Sequence, residues 1–310
     1  MKKRVLFLLV FFSYSVNAQM VPSFLGVYDK KNPNGTGTVT FTNCSSAGKD
    51  GPSQSDCNTS YSGTTLDGDV TVTSGIQLWT VPANGSYTIE VWGAKGGSPS
   101  QECVSLSGTT CRGANGARMK GTFSLNQGET LRIGIGQMGE SYLRGGGGGG
   151  GTFVAKGSDH SGATALIIAG GGGGGHYFAE TVPKQGQTTE QGASNPSTGN
   201  GYLSGAGGSW ASDGANGTHS STGGKGWANF LVGGNKTYVS GWSYGDGGFG
   251  GGGGGCWPGG NGGGYNGGAQ VLSYGNETPG GSGGGSYNAG SNQDNTAGAW
   301  DSHGKVIITW

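Results

Sequence analysis

Seven glycines in a row, Gly145 to Gly151, constrain this chain more than any other feature. Two more runs answer them, Gly170 to Gly175 and Gly250 to Gly255. Each lies beside a short apolar stretch. Phe153, Val154 and Ala155 follow the first run, Leu166 to Ala169 precede the second, and Cys256 and Trp257 follow the third. A flexible tether needs no bulky residues at its edges. A glycine run with polyproline-II angles is a threefold extended helix without internal hydrogen bonds, so seven residues reach roughly 22 Å. Its N–H and C=O groups must find partners on other segments. With no side chains in the way, several such segments can lie side by side and bond laterally. Backbone entropy opposes this, because glycine loses more of it on folding than any other residue. The runs therefore predict ordered walls of a glycine lattice, held by many lateral bonds and by aromatic packing at the edges.

Composition removes the simpler explanations. Glycine supplies 75 of 310 residues, against roughly 7% in ordinary proteins. There is no strict Gly-X-Y period and only nine prolines, which excludes collagen. Eight Trp, twelve Tyr and ten Phe oppose disorder, since disordered chains are poor in aromatics. Basic and acidic residues balance at 17 each. No basic patch or polybasic run points to nucleic acid or to an anionic membrane surface.

Met1 to Ala18 reads as a secretory signal. Lys2, Lys3 and Arg4 form the charged region, Val5 to Phe12 the apolar region, and Val16-Asn17-Ala18 a small-x-small cleavage site. The apolar region is too short to span a bilayer comfortably; an uncleaved anchor is the alternative. The expected location is secreted or cell-surface. That compartment permits disulfides. Cys44 with Cys57, and Cys103 with Cys111, each enclose a short loop and are expected to pair locally. Cys256 is left as a buried thiol or as the link of a disulfide-joined dimer. The cysteine spacings match no zinc site, and no metal or cofactor is expected.

The chain divides into a leader (19–37), a β-sandwich (38–140) closed by a terminal strand (303–310), and a glycine-rich region (141–302). Thr38–Thr42, Val70–Thr73, the stretch from Ile76 to Trp79, Tyr87–Trp92, Met119–Leu125 and Leu131–Ile135 read as strands. In the clearest of them Tyr87, Ile89 and Val91 face one side and Thr88, Glu90 and Trp92 the other. Asn84-Gly85 predicts a hairpin turn. No window shows a sustained 3.6-residue period, so helices should be few. The predicted fold is all-β: an antiparallel sandwich with an inserted bundle of polyglycine-II helices.

Two stretches go beyond composition. The first is Asn43 to Gly48 with Gly51-Pro52-Ser53-Gln54, Cys57, Tyr61 and Gly63. The second is Gly75 to Pro82, then Gly85 to Ile89 and Gly93 to Gly97. Ile133 to Gln137, Phe153-Val154-Ala155, Leu166 to Ala169, Gly248 to Cys256, Gly262 to Tyr265 and Gly304-Lys305-Val306 continue the pattern in order. Together they resemble the extracellular glycine-rich module of the anaplastic lymphoma kinase and leukocyte tyrosine kinase receptors, over about residues 40 to 310. The resemblance implies a tumour-necrosis-factor-like sandwich joined to polyglycine-II helices, and a module that binds small protein cytokines. It implies no kinase, because the kinase lysine, catalytic-loop and metal-binding motifs are not found. The short Lys/Arg-led signal reads as that of a bacterial, stand-alone secreted protein.

No catalytic residues are expected. Windows of G-x-G-x-x-G abound, but without a strand–helix unit they carry no dinucleotide site. His160, His176, His219 and His303 are scattered, with no pair at ligand spacing. Aromatic residues beside the glycine runs offer more. Tyr177, Phe178, Trp242 and Tyr244 are the candidate binding residues, with His176, Tyr202, Trp210, Trp257 and Tyr265 in similar settings. Rings on loops of a rigid scaffold present large contact areas with a polar handle. The alternative is that they cap the ends of the glycine helices. The sequence thus reads as a non-enzymatic binding module for a protein or glycan, or else as a structural envelope or matrix protein.

Overall fold

The computed structural model describes residues 36–101, 111–177, 182–193, 204–239, 242–269 and 280–310. All fall within one unit, Asn32–Trp310. The signal, Cys103, Phe178 and Tyr202 lie outside them. In chain order the elements are β1 (Thr38–Phe41), α1 (Gln54–Tyr61), β2 (Thr71–Thr73), β3 (Ile76–Thr80), β4 (Gly85–Trp92), β5 (Gly116–Leu125), β6 (Thr130–Gly134), β7 (Thr152–Lys156) and β8 (Thr164–Ala169). A single 3-10 turn (Trp227–Asn229), β9 (Tyr238–Val239), β10 (Trp242–Ser243), β11 (Tyr287–Asn288), β12 (Thr296–Trp300) and β13 (Lys305–Thr309) follow.

Two antiparallel sheets make a sandwich. The first has the order β1-β13-β4-β5-β12 and the second β11-β8-β7-β6-β3-β2. Alternation sets the core, as period-2 patterning requires. In β4, Tyr87, Ile89 and Val91 are fully buried while Thr88 and Glu90 are only half-buried. They meet Leu131, Ile133 and Val154 of the second sheet in one cluster. The terminal strand β13 returns between β1 and β4, with Ile308 opposite both Val39 and Ile89. Trp92 points to the outer face yet is buried. Lys305 Nζ covers it, 4.3 Å from its ring centroid and 4.0 Å from that of Trp300.

The second sheet is covered on both faces. Phe153, Ala155 and Ile168 point away from the sandwich core and pack with Ile76, Trp227, Leu231 and Phe249. Double burial explains why β7 and β8 read as unbroken apolar runs rather than alternating ones.

Two local expectations change. Asn84-Gly85 does not close a hairpin, because β3 pairs with β2 and β6 whereas β4 pairs with β13 and β5. The chain crosses there from one sheet to the other. A second crossing at Asn126–Glu129 braces it: Val81 N donates to Glu129 O (2.9 Å), and Gln127 N to Asn84 Oδ1 (2.7 Å). The Cys44–Cys57 interval is not all loop. Ser53 and Asp56 form a capping box that starts α1, which carries Cys57 and Tyr61 into the core. The Cys44–Cys57 disulfide is formed. Cys111 is also disulfide-bonded.

The first two glycine runs bond laterally with a period of three. Gly146 and Gly149 donate to Gly175 and Gly172, both at 2.8 Å. Gly147 and Gly150 donate to Glu140 and Gln137, and Gly148 and Gly151 to Gly253 and Gly250. Each third residue thus returns to the same neighbour, and all three neighbours run antiparallel to the first run. The second run repeats the period. Gly171 and Gly174 donate to Gly263 and Gly260, while Gly172 and Gly175 donate to Ala94 and Gly97, a parallel neighbour. Contact is too close for side chains. A Cβ at Gly148 would lie 2.0 Å from Asn261 O, and one at Gly173 2.0 Å from Gly281 O.

Candidate binding end of the glycine tracts

The ladder between the first two runs ends where bulky residues begin. Beyond the Gly146–Gly175 pair, Tyr177 N donates to Arg144 O (2.9 Å), Arg144 N to Ser243 O (3.3 Å) and Gly245 N to Gly145 O (3.0 Å). Gly145 bridges to both His176 and Tyr244. Three tract ends therefore converge. Two of the sequence candidates, Tyr177 and Tyr244, are brought together there, with His176, Trp257 and Cys256.

Their exposures differ. Tyr177 is half-buried, and the Arg144 guanidinium lies 5.0 Å from its ring centroid, with Nη1 donating to the phenol oxygen at 3.1 Å. That pairing fixes a rotamer-rich arginine beside a polar handle. Tyr244 is fully buried, so it supports this end and offers no surface to a partner. His176 is also fully buried, 6.2 Å from the Tyr244 ring and 6.1 Å from that of Trp257. Trp242 lies in β10, whose backbone pairs with β9 next to this end. Phe178 falls outside the described residues.

The exposed large hydrophobic side chains are not among the sequence candidates. Leu143 (55%), Val182 (47%) and Tyr238 (75%) are the exposed large hydrophobic side chains among the described residues. Leu143 precedes Arg144, and Tyr238 sits in β9. Val182 leads to Lys184, whose carbonyl accepts from Gly173, while Gly186 abuts Gly170. That direction carries Val182 toward the Gly175 end. All three thus lie at the same end of the tracts. The available signal was Tyr142-Leu143-Arg144, bulky residues set immediately before a glycine run.

A polar knot holds the base of this end. Lys236 Nζ lies 2.8 Å from Glu140 Oε2 and 4.5 Å from the Tyr142 ring centroid. Asp246 N donates to Glu140 Oε2 (2.9 Å), and Lys236 N to Asp246 Oδ1 (2.6 Å). Burial pushes the Lys236 ammonium down, but its hydrogen bond to and charge attraction toward Glu140 more than offset this, and the pKa ends raised. Cys256 is a buried free thiol, which burial pushes up. In the folded chain it is not presented for a bond to a second copy. Among the described residues no three His, Cys, Asp or Glu side chains are grouped to hold a metal ion.

The remaining aromatic candidates lie elsewhere. Trp210 stacks on Trp227 at 4.8 Å, and Tyr265 on Tyr287 at 4.6 Å, both against the outer face of the second sheet.

This sandwich with laterally bonded glycine tracts has a relative among known proteins. The chain is 35% identical over 123 residues to the leukocyte tyrosine kinase receptor of Mus musculus. The relationship is distant and partial. The matched stretch covers 38% of this chain and 13% of the receptor, so it implies no kinase domain here. Comparison with known protein families gives no match. No helix among the described residues is long and apolar enough to cross a membrane. That, the disulfides and the receptor relationship are compatible with an extracellular location.

Proposed function

We propose that this chain is a secreted or cell-surface, non-enzymatic binding module akin to the glycine-rich ectodomain segment of the leukocyte tyrosine kinase receptor. Its glycine tracts act as polyglycine-II helices, a reading supported by the three-residue period of the lateral bonds in the first two runs. Its contact surface is the end where those tracts meet, and its partner is a protein or a glycan. One observation carries this assignment: Leu143, Val182 and Tyr238 are strongly exposed, and the backbone register runs each of them toward the end of the tracts where Tyr177 lies. Exposed apolar side chains grouped on a rigid base mark interaction sites.

The test is a screen of the purified protein against glycan and secreted-protein arrays, followed by Tyr177→Ala, Leu143→Ala and Tyr238→Ala in the same assay. Binding should fall at least tenfold in Tyr238→Ala with the fold intact. Full binding by all three variants would refute the site, and a chain that binds nothing and fractionates with the cell envelope would favour the structural reading instead.

A further inference from the structure

A second aromatic assembly lies on the outer face of the second sheet. His160, in the loop between β7 and β8, is sandwiched between two rings: Trp227 at 4.5 Å and 23°, Phe230 at 4.4 Å and 12°. Trp210 extends the stack beyond Trp227. The His160–Trp227 contact is reciprocal. Trp227 Nε1 donates to His160 O (3.0 Å), and His160 Nε2 lies 2.6 Å from Trp227 O. Since a carbonyl only accepts, Nε2 carries the hydrogen. Nδ1 is then bare, buried and without a hydrogen-bond partner. The loop itself is anchored from below, where Arg132 of β6 donates through Nε to Gly157 O (3.1 Å) and through Nη2 to Ser158 O.

What His160 holds down matters. Trp227 and Leu231 cover Ile76, Phe153 and Phe249. Leu231 O also accepts from Gly250 N and Gly251 N, both at 2.8 Å, where the third glycine run begins. We propose that His160 is an acid-sensitive latch, which fastens the Trp227–Leu231 segment, and with it the start of the third glycine run, to the second sheet.

The charge balance sets the sign. A second proton on the imidazole would place an N–H at buried Nδ1 with no acceptor. From β6, the Arg132 guanidinium repels the cation. From the loop, Asp159 attracts it, but that carboxylate is already held by Ser161 Oγ (3.0 Å) and Gly162 N (2.6 Å). Beside the covering segment, Asp213 and Lys225 neutralise one another at 2.9 Å. The two ring faces attract a cation, though weakly. Burial is the largest influence, and it lowers the His160 pKa below its ordinary value. A histidine whose pKa is lower in the closed form stabilises closure fully above the ordinary imidazole range. That stability is lost as pH falls through it.

Hydrogen–deuterium exchange on the full chain from pH 7.5 to 5, corrected for the intrinsic rate at each pH, reads the latch directly. Protection of a peptide spanning 226–231 should fall as pH drops below roughly 6.5, at up to about tenfold per pH unit until the imidazole of the closed form itself protonates. A peptide from Gly85–Trp92 should stay protected. His160→Phe keeps a ring between Trp227 and Phe230 but cannot titrate, and its 226–231 protection should be flat with pH. An equal pH slope in His160→Phe, or simultaneous opening of the two peptides, would overturn the proposal. If that variant does not fold, NMR titration of His160 in the unaltered protein decides: a midpoint below about 6.5 supports the latch, and one above it refutes it.

Discussion

The sandwich and the glycine tracts solve the same accounting of backbone polar groups in opposite ways. In the sheets an interior strand bonds to two neighbours, and side chains fill the remaining two directions. In the first glycine run each residue bonds sideways, and successive residues serve three neighbours in rotation. No direction is left for a side chain. The sandwich can therefore relax around a changed residue by shifting rotamers, whereas the tracts have only backbone to move. Tolerance to substitution should differ accordingly.

The largest effect should come from the tracts. Gly148→Ala places a Cβ 2.0 Å from Asn261 O with no flexible atom to yield. Loss of folded protein, or a destabilisation above about 4 kcal/mol, is expected in thermal and urea unfolding. Gly128→Ala is its counterpart in the sandwich. It has open space but a φ of +85°, so about 1 kcal/mol of strain is expected. Equal losses in the two variants would erase the distinction.

Ile89→Ala tests the other region. It empties a fully buried site between the sheets and should destabilise by about 2–5 kcal/mol, leaving a folded chain with a lower Tm. Removing the Cys44–Cys57 bridge by the double Ser variant opens a loop with a sequence separation of 13. A loss of about 3 kcal/mol under oxidising conditions is expected. Under reducing conditions the variant and the parent should converge. Lys305→Ala removes an ammonium set between two indoles. It should lower stability by only about 1 kcal/mol, because the group is at the sandwich's outer face.

What could be read in advance follows the same divide. β1, β4, β5 and β13 of the first sheet were legible from their alternation, as where Tyr87, Ile89 and Val91 alternate with polar neighbours, whereas β12, inside the glycine-rich region, was not. The glycine runs announced lateral bonding through their lack of side chains. Pairing partners were not legible. Whether the chain turns back or crosses over at Asn84-Gly85 depends on β13, which arrives from the far end of the chain. The capping box at Ser53 was present in the sequence, but α1 has no apolar stripe to advertise it, since it buries only Cys57 and Tyr61. At the candidate site, aromatic type drew attention to Tyr244, which is buried, and away from Leu143 and Val182, which are not. Nor could composition pair His160 with Trp227 across a separation of 67 residues.

The three-residue rotation of the first run has a mechanical corollary. Identical units carry no index, so a tract could slide along its neighbours by one full turn and recover every bond except those at its margins. Register must then be fixed by the stops: Tyr142-Leu143-Arg144 at one margin and Phe153 at the other. Adding three glycines to the run should lengthen it by one turn and leave each neighbour assigned as before, whereas adding one should hand every donor to the wrong neighbour.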